Sequence, residues 1–134
     1  MDDCVFCRII SGELPSMKVY EDDDTIAFMD IAADVDGHIV VAPKKHVVSI
    51  LDCDCKTLES LIGTVKKLSD HLTGNCGYDG VNILNASGKS AGQSVPHFHM
   101  HLIPRKEGDG VDMWPHLKGA KREIREVFEE IRMI

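Results

Sequence analysis

Gln93 to Pro104 reads Q-S-V-P-H-F-H-M-H-L-I-P. His97, His99 and His101 take every second position, with Phe98, Met100 and Leu102 between them and Ile103 beyond. Alternation with period 2 predicts a strand, whose residues i, i+2 and i+4 share a face. The three imidazoles would then form a row, neighbours roughly 6–7 Å apart. Phe98, Met100 and Leu102 would bury on the other side. Three adjacent imidazoles are costly to bury unless each has a partner. Two uses fit: a metal site, or a reactive imidazole held by other imidazoles. A partly solvated edge strand gives no reason for histidine at every second position.

With 134 residues the chain can bury an ordinary core as a single domain spanning 1–134. A net charge of −7 excludes long nucleic acid as a partner. A small phosphate ligand is still allowed, because backbone N–H groups can hold phosphate without net positive charge. The start, Met1-Asp2-Asp3, is acidic where a secretory signal is basic, and no apolar run approaches a membrane span. These features predict a cytoplasmic protein without a membrane partner. Five cysteines, an odd number, predict no disulfide framework. Cys53, Cys55 and Cys76 read as ordinary reduced thiols.

Working outward from the triad, Ala86 to Gly92 (A-S-G-K-S-A-G) is a loop of small residues. It reads either as a hairpin turn or as a ring of amides around a phosphate. Tyr78 to Asn85 reads as the strand before it. The segment from Asp52 or Asp54, either of which can cap, to about Thr73 reads as a helix. Its apolar stripe is Leu58, Leu61, Ile62, Val65, Leu68 and Leu72, with Gly74-Asn75 as the stop. Gly37 to Pro43 is a short apolar strand with His38 at one end and His46 beyond the other. Lys18 to Glu21 and Thr25 to Met29 read as strands joined by three aspartates, and Asp30 ends the second. Phe6, Ile9 and Ile10 suggest a short N-terminal helix. Arg105 to Pro115 is polar loop, and Lys118 to Met133 is predicted as a final amphipathic helix burying Ile124, Val127, Phe128 and Ile131. Five strands and two long helices that do not alternate as βαβ predict an α+β fold with a mainly antiparallel sheet. Its open edges suit a homodimer.

Cys4-Val-Phe-Cys7 has spacing that lets two thiolates hold one zinc ion. The rival readings are a redox pair, whose preceding βαβ setting is absent, and free thiols.

Taken together, H-F-H-M-H-L-I, G-H-I-V-V-A-P-K-K-H, the E-D-D…A-F-M-D-I segment, F-x-x-I-I and Asn85 before the loop ending G-Q-S-V resemble the histidine triad (HIT) family. The resemblance runs from about Cys4 to Arg105. The chain beyond, about 106–134, stands as a C-terminal helical extension. It implies an α+β domain with a five-stranded antiparallel sheet, usually a homodimer, that binds a purine mononucleotide or small nucleotide and cleaves at its α-phosphate. It implies His99 as nucleophile, flanked by His97 and His101, with His38 as a further catalytic histidine. Ser94, Asn85 and Gln93 are implied near the phosphate, with the amides of Gly92 to Val95. Asp30 is implied at the ribose, and Val5, Phe6, Ile9, Leu14 and Ile31 at the base. A neutral imidazole can attack phosphorus if its other nitrogen carries the proton and has an acceptor. That chemistry requires no cofactor.

The resemblance also implies a structural zinc held by Cys4, Cys7, His46 and His97, as in a zinc-bearing branch of the family. Pro96, Ala91 and a longer loop after Asn85 depart from the animal nucleoside phosphoramidase branch. Pro104 to Asp109 is similar to the dinucleoside polyphosphate hydrolase branch, and Trp114 is a candidate contributor to substrate choice. Purine nucleoside phosphoramidates are the expected substrates. The alternatives are dinucleoside polyphosphates or a nucleotide-binding scaffold with incidental hydrolysis.

Overall fold

Two strands without polar alternation occupy the centre of the sheet. Thr25–Met29 (β2) and Ile39–Pro43 (β3) are buried along almost their whole length. Continuous burial requires cover on both sides. In the computed structural model, which describes residues 3–32, 34–114, 117, 119 and 121–134, helices supply it. The other elements are Val5–Ile10 (α1), Lys18–Glu21 (β1), Cys55–Asn75 (α2), Gly80–Leu84 (β4), Met100–Arg105 (β5) and Ile124–Ile131 (α3). The sheet order is β1-β2-β3-β5-β4, and every neighbouring pair is antiparallel. The fold is therefore the expected α+β class, with one long helix and shorter ones.

The strand period sorts the core into two clusters. Ala27, Ile39, Val41, Met100 and Leu102 pack against Leu61, Val65, Leu68 and Leu72 of α2. Ile26, Phe28, Val40 and Ala42 face the other way and meet Cys4 and Phe6. Each fully buried Val, Leu, Ile, Phe or Met side chain among them contributes about 1.5–3 kcal/mol. Thr25 is fully buried yet satisfied, its hydroxyl 2.7 Å from that of Thr64 on α2. Both candidate caps of α2 are used. Asp54 caps the helix through the Thr57 N–H, while Asp52 accepts the Val48 and Ser49 N–H groups in the loop before it. Ile62, assigned to the stripe, lies at its rim and is 45% exposed. Gly74 and Asn75 form the last helical residues rather than the stop.

The C-terminal segment departs from expectation. The final helix runs from Ile124 to Ile131, not from Lys118, which lies outside the described residues, as does Pro115. Gly119 has φ +83°, a left-handed conformation that no α-helix continues through. The predicted buried stripe is also overturned: Ile124, Phe128 and Ile131 are exposed and Val127 is half-buried. With α1 and α2 already covering the two faces of the sheet, no element among the described residues covers Ile124, Phe128 and Ile131. Trp114 is likewise exposed.

Candidate functional site

The triad does not lie in one strand. β5 begins at Met100, so only His101 belongs to it. His97 and His99 sit in the irregular approach. The His97 N–H donates to the Val95 carbonyl, and the Phe98 N–H donates to the Val47 carbonyl. The facing nevertheless follows the period. Phe98, Met100 and Leu102 enter the core beneath α2, while His101 pairs with Val40 and faces the α1 side.

His97 belongs to a closed cluster. Cys4 Sγ lies 3.3 Å and Cys7 Sγ 3.6 Å from His97 Nδ1; His46 Nδ1 lies 3.2 Å from His97 Nδ1 and 3.3 Å from Cys7 Sγ. A tetrahedral zinc at about 2.1 Å from nitrogen and 2.3 Å from sulfur sets donor–donor edges of about 3.3–3.8 Å. These separations match. The tautomer fits as well: His97 Nε2–H donates to the Pro43 carbonyl at 2.8 Å, leaving Nδ1 bare towards the sulfurs. His97 is wholly buried, and burial lowers its pKa, so the ring is neutral. Cys4 also caps α1 through the Cys7 N–H. Burial, followed by the Cys4 thiol, pushes the Cys7 thiol up to about 11.

His99 has the opposite tautomer. Its Nδ1–H donates to the His97 carbonyl at 2.7 Å, which leaves Nε2 bare. Burial lowers its pKa. Its ring stands edge-on to Phe6, centroids 5.0 Å apart, and to His101, 4.8 Å apart. The Asn85 amide donates to the His99 carbonyl at 2.8 Å, so the backbone of this residue is tied to β4. His101 Nδ1 lies 2.8 Å from His38 Nε2. Burial, then the neighbouring histidines, push His101 down to about 4.

His99 and His101 open onto a cleft of about 260 Å³. Val5, Phe6, Ile9, Asp30, Ile31, Ser94 and Val95, all singled out from the sequence, line it. Leu14 does not: its N–H donates to Arg8, and Pro15 and Ser16 take the wall instead, joined by Phe28, Met29 and Val40. The strand pattern marks Phe28 and Val40 as buried but not as cleft residues. Asn85, Gly92 and Gln93 do not line the cleft. Gln93 accepts the Gly88 N–H and donates to the Val48 and Val95 carbonyls, so its amide braces the loop. The Gly92 and Gln93 N–H groups close the turn onto Lys89 and Gly88. Those of Ser94 and Val95 have no acceptor among the described residues. Arg105 grips Asp109 through two 2.8 Å bonds and Asn82 through a third. The Pro104 to Asp109 run therefore anchors the loop after β5 and does not line the cleft.

One contact had no sequence signal. Asp34 Oδ1 lies 2.8 Å from His38 Nδ1. A loop aspartate four residues before a histidine reads as turn chemistry, and only the folded loop brings the two together.

The model of the HIT domain matches residues 11–108. An uncharacterized HIT-like protein of Borreliella burgdorferi is 44% identical over 99% of this chain and 96% of its own length. The adenosine 5'-monophosphoramidase hnt1 of Schizosaccharomyces pombe is 34% identical over 96% of this chain and 95% of its own. The crystal structure of a zinc-bound histidine triad family protein from Mycobacterium smegmatis superimposes with a TM-score of 0.79 at 34% identity, covering 84% of this chain and 81% of that one.

Proposed function

The chain belongs to the HIT domain family, and on that premise we propose that it is a nucleotide hydrolase or transferase acting at the α-phosphate of purine nucleoside phosphoramidates or related nucleotides. The observation that carries the reading is the His99 ring, neutral, with its proton held by the His97 carbonyl and Nε2 bare beside the cleft. The S. pombe relative supports the substrate class.

In this mechanism the His99 Nε2 lone pair attacks the α-phosphorus while the bond to the leaving nitrogen breaks. The leaving amine takes a proton from the His101 nitrogen that does not face His38. Water then cleaves the nucleotidyl-histidine bond and restores the ring. The amides of Ser94 and Val95, with the Ser94 hydroxyl, hold the phosphoryl oxygens at the point where charge builds. Asp30 holds the ribose hydroxyls, and Val5, Phe6, Ile9 and Ile31 hold the base. Asn85 acts by fixing the His99 backbone.

Cys4, Cys7, His46 and His97 hold a structural zinc in this reading, supported by their separations and by the zinc-bound M. smegmatis relative. The ion would cross-link the N-terminal segment to the chain entering β5 and takes no part in bond breaking. A homodimer belongs to the same reading. Among the described strands β1 and β4 are open edges, and Ile83 on β4 is half exposed.

Mass spectrometry of protein quenched during turnover of an adenosine phosphoramidate tests the chemistry. A nucleotidyl adduct on His99 is the expected result, and normal turnover by His99→Ala would refute the assignment. A kcat/KM higher for a diadenosine polyphosphate than for the phosphoramidate would move the substrate to the other branch.

A further inference from the structure

Resting on the nucleotide-cleavage reading, we infer that Asp34 is a positioning residue for the leaving-group proton. Its carboxylate holds His38 Nδ1–H, which aims His38 Nε2 at His101 and lets His38 replace the proton that His101 gives away.

Two contacts form a line from the surface to the cleft, and a third meets it from the side. Asp34 Oδ1 lies 2.8 Å from His38 Nδ1, and His38 Nε2 lies 2.8 Å from His101 Nδ1. Asp30 Oδ2 lies 3.6 Å from the same His38 Nε2. His38 is buried, and its two ring nitrogens face the carboxylates of Asp34 and Asp30 as well as His101. Among the described residues Asp34 pairs with no lysine or arginine; its ionic partner is His38.

The loop from Asp30 to His38 is shaped to deliver this contact. The Asp30 N–H donates to the His38 carbonyl at 2.9 Å and closes it. Asp30 Oδ1 accepts the Ala32 N–H at 2.8 Å. Gly37 has φ +82°, and a Cβ there would stand 2.6 Å from Pro104 Cγ. Only glycine lets the loop pass so close to β5.

The protons balance. In the proposed cycle His38 starts with a proton on each ring nitrogen and His101 with one, on Nε2. As the phosphorus–nitrogen bond breaks, the His101 Nε2 proton goes to the leaving amine. The His38 Nε2 proton moves to His101 Nδ1, and His38 keeps Nδ1–H on Asp34. Water then gives a proton to His101 Nε2 while its oxygen bonds to phosphorus and the lone pair returns to His99. The Nδ1 proton returns to His38. Without Asp34, His38 loses its Nδ1–H acceptor, and the ring orientation that feeds His101 is selected less strictly.

The test compares two substrates of the full chain. An adenosine phosphoramidate with an alkylamine leaving group needs the proton; the para-nitrophenyl ester of AMP does not, because nitrophenolate leaves unaided. Asp34→Ala should lower kcat on the first by roughly tenfold, part of the roughly 10²–10⁴-fold a positioned acid supplies, with little change in KM. On the ester it should stay within about twofold of wild type. Asp34→Asn keeps an oxygen for the Nδ1–H and should fall between. Asp36→Ala, which removes an exposed neighbouring acid, should match wild type. Equal losses on both substrates, or none on either, would overturn the proposal alone. A wild-type protein inactive on both would overturn the cleavage reading, and the proposal with it. Nitrogen NMR of histidine-labelled protein gives a readout that does not need turnover. The His38 Nδ1 proton should redistribute in Asp34→Ala, and an unchanged spectrum would count against the role.

Discussion

His97 and His99 stand two residues apart and end in opposite chemistry. His97 donates from Nε2 to the Pro43 carbonyl, so Nδ1 is bare and faces two sulfurs. His99 donates from Nδ1 to the His97 carbonyl, so Nε2 is bare beside the cleft. Both rings are buried, and burial lowers both pKa values. Burial therefore does not separate the two roles. A backbone carbonyl does, by choosing which nitrogen keeps the proton. One ring lies in a closed set of donors suited to an ion, the other in an open set suited to a reaction.

The sharpest way to break this contrast is to remove one ring at a time. His99→Ala should cut turnover on the order of 10⁴-fold or more, as expected for loss of a covalent nucleophile, while calorimetry still detects AMP binding. Cys4→Ala with Cys7→Ala should do the reverse. Metal analysis should show zinc lost, and Tm should fall by roughly 10 °C or more, with the larger defect in stability rather than in chemistry. Because burial pushes the Cys7 thiol up to about 11, zinc uptake must release protons, so zinc affinity should weaken as pH falls. A titration with proton counting checks this.

Asn85→Ala probes the link between the two sites and the sheet. It frees the His99 backbone from β4, and kcat should drop roughly tenfold with unchanged zinc content.

The smallest effect concerns pH. His101 stands at about 4 in the folded chain, below the ordinary histidine value near 6.5. The unfolded state therefore binds more protons between these values, and stability rises with pH across that window. The His101 contribution is present above about pH 6.5 and is lost as pH falls towards 4. Urea midpoints should decline through this range, with a shallower slope in His101→Asn.

The strands and α2 were legible because their patterns are local. β1 and β2 fall where alternation and turn residues place them, and the α2 stripe follows helical spacing over many turns. α3 misled because a high apolar moment says that a helix has a face to bury, not that the fold has a surface left to cover it. Motif position places Gln93 near the phosphate without showing that its amide also braces the loop, and places Leu14 at the base without showing that Pro15 and Ser16 form the cleft wall there.

The sequence alone determined the antiparallel sheet, the side of the core each strand residue faces, and the set of residues able to do chemistry. These follow from dihedral periods and side-chain type, which act within a few residues. Only the tertiary structure decided which ring nitrogen is bare, that Asp34 meets His38, and that Cys4 and Cys7 close around His46 and His97. Each of those depends on a hydrogen bond or donor contact between parts of the chain brought together by folding, and a hydrogen bond exists only at a distance and an angle.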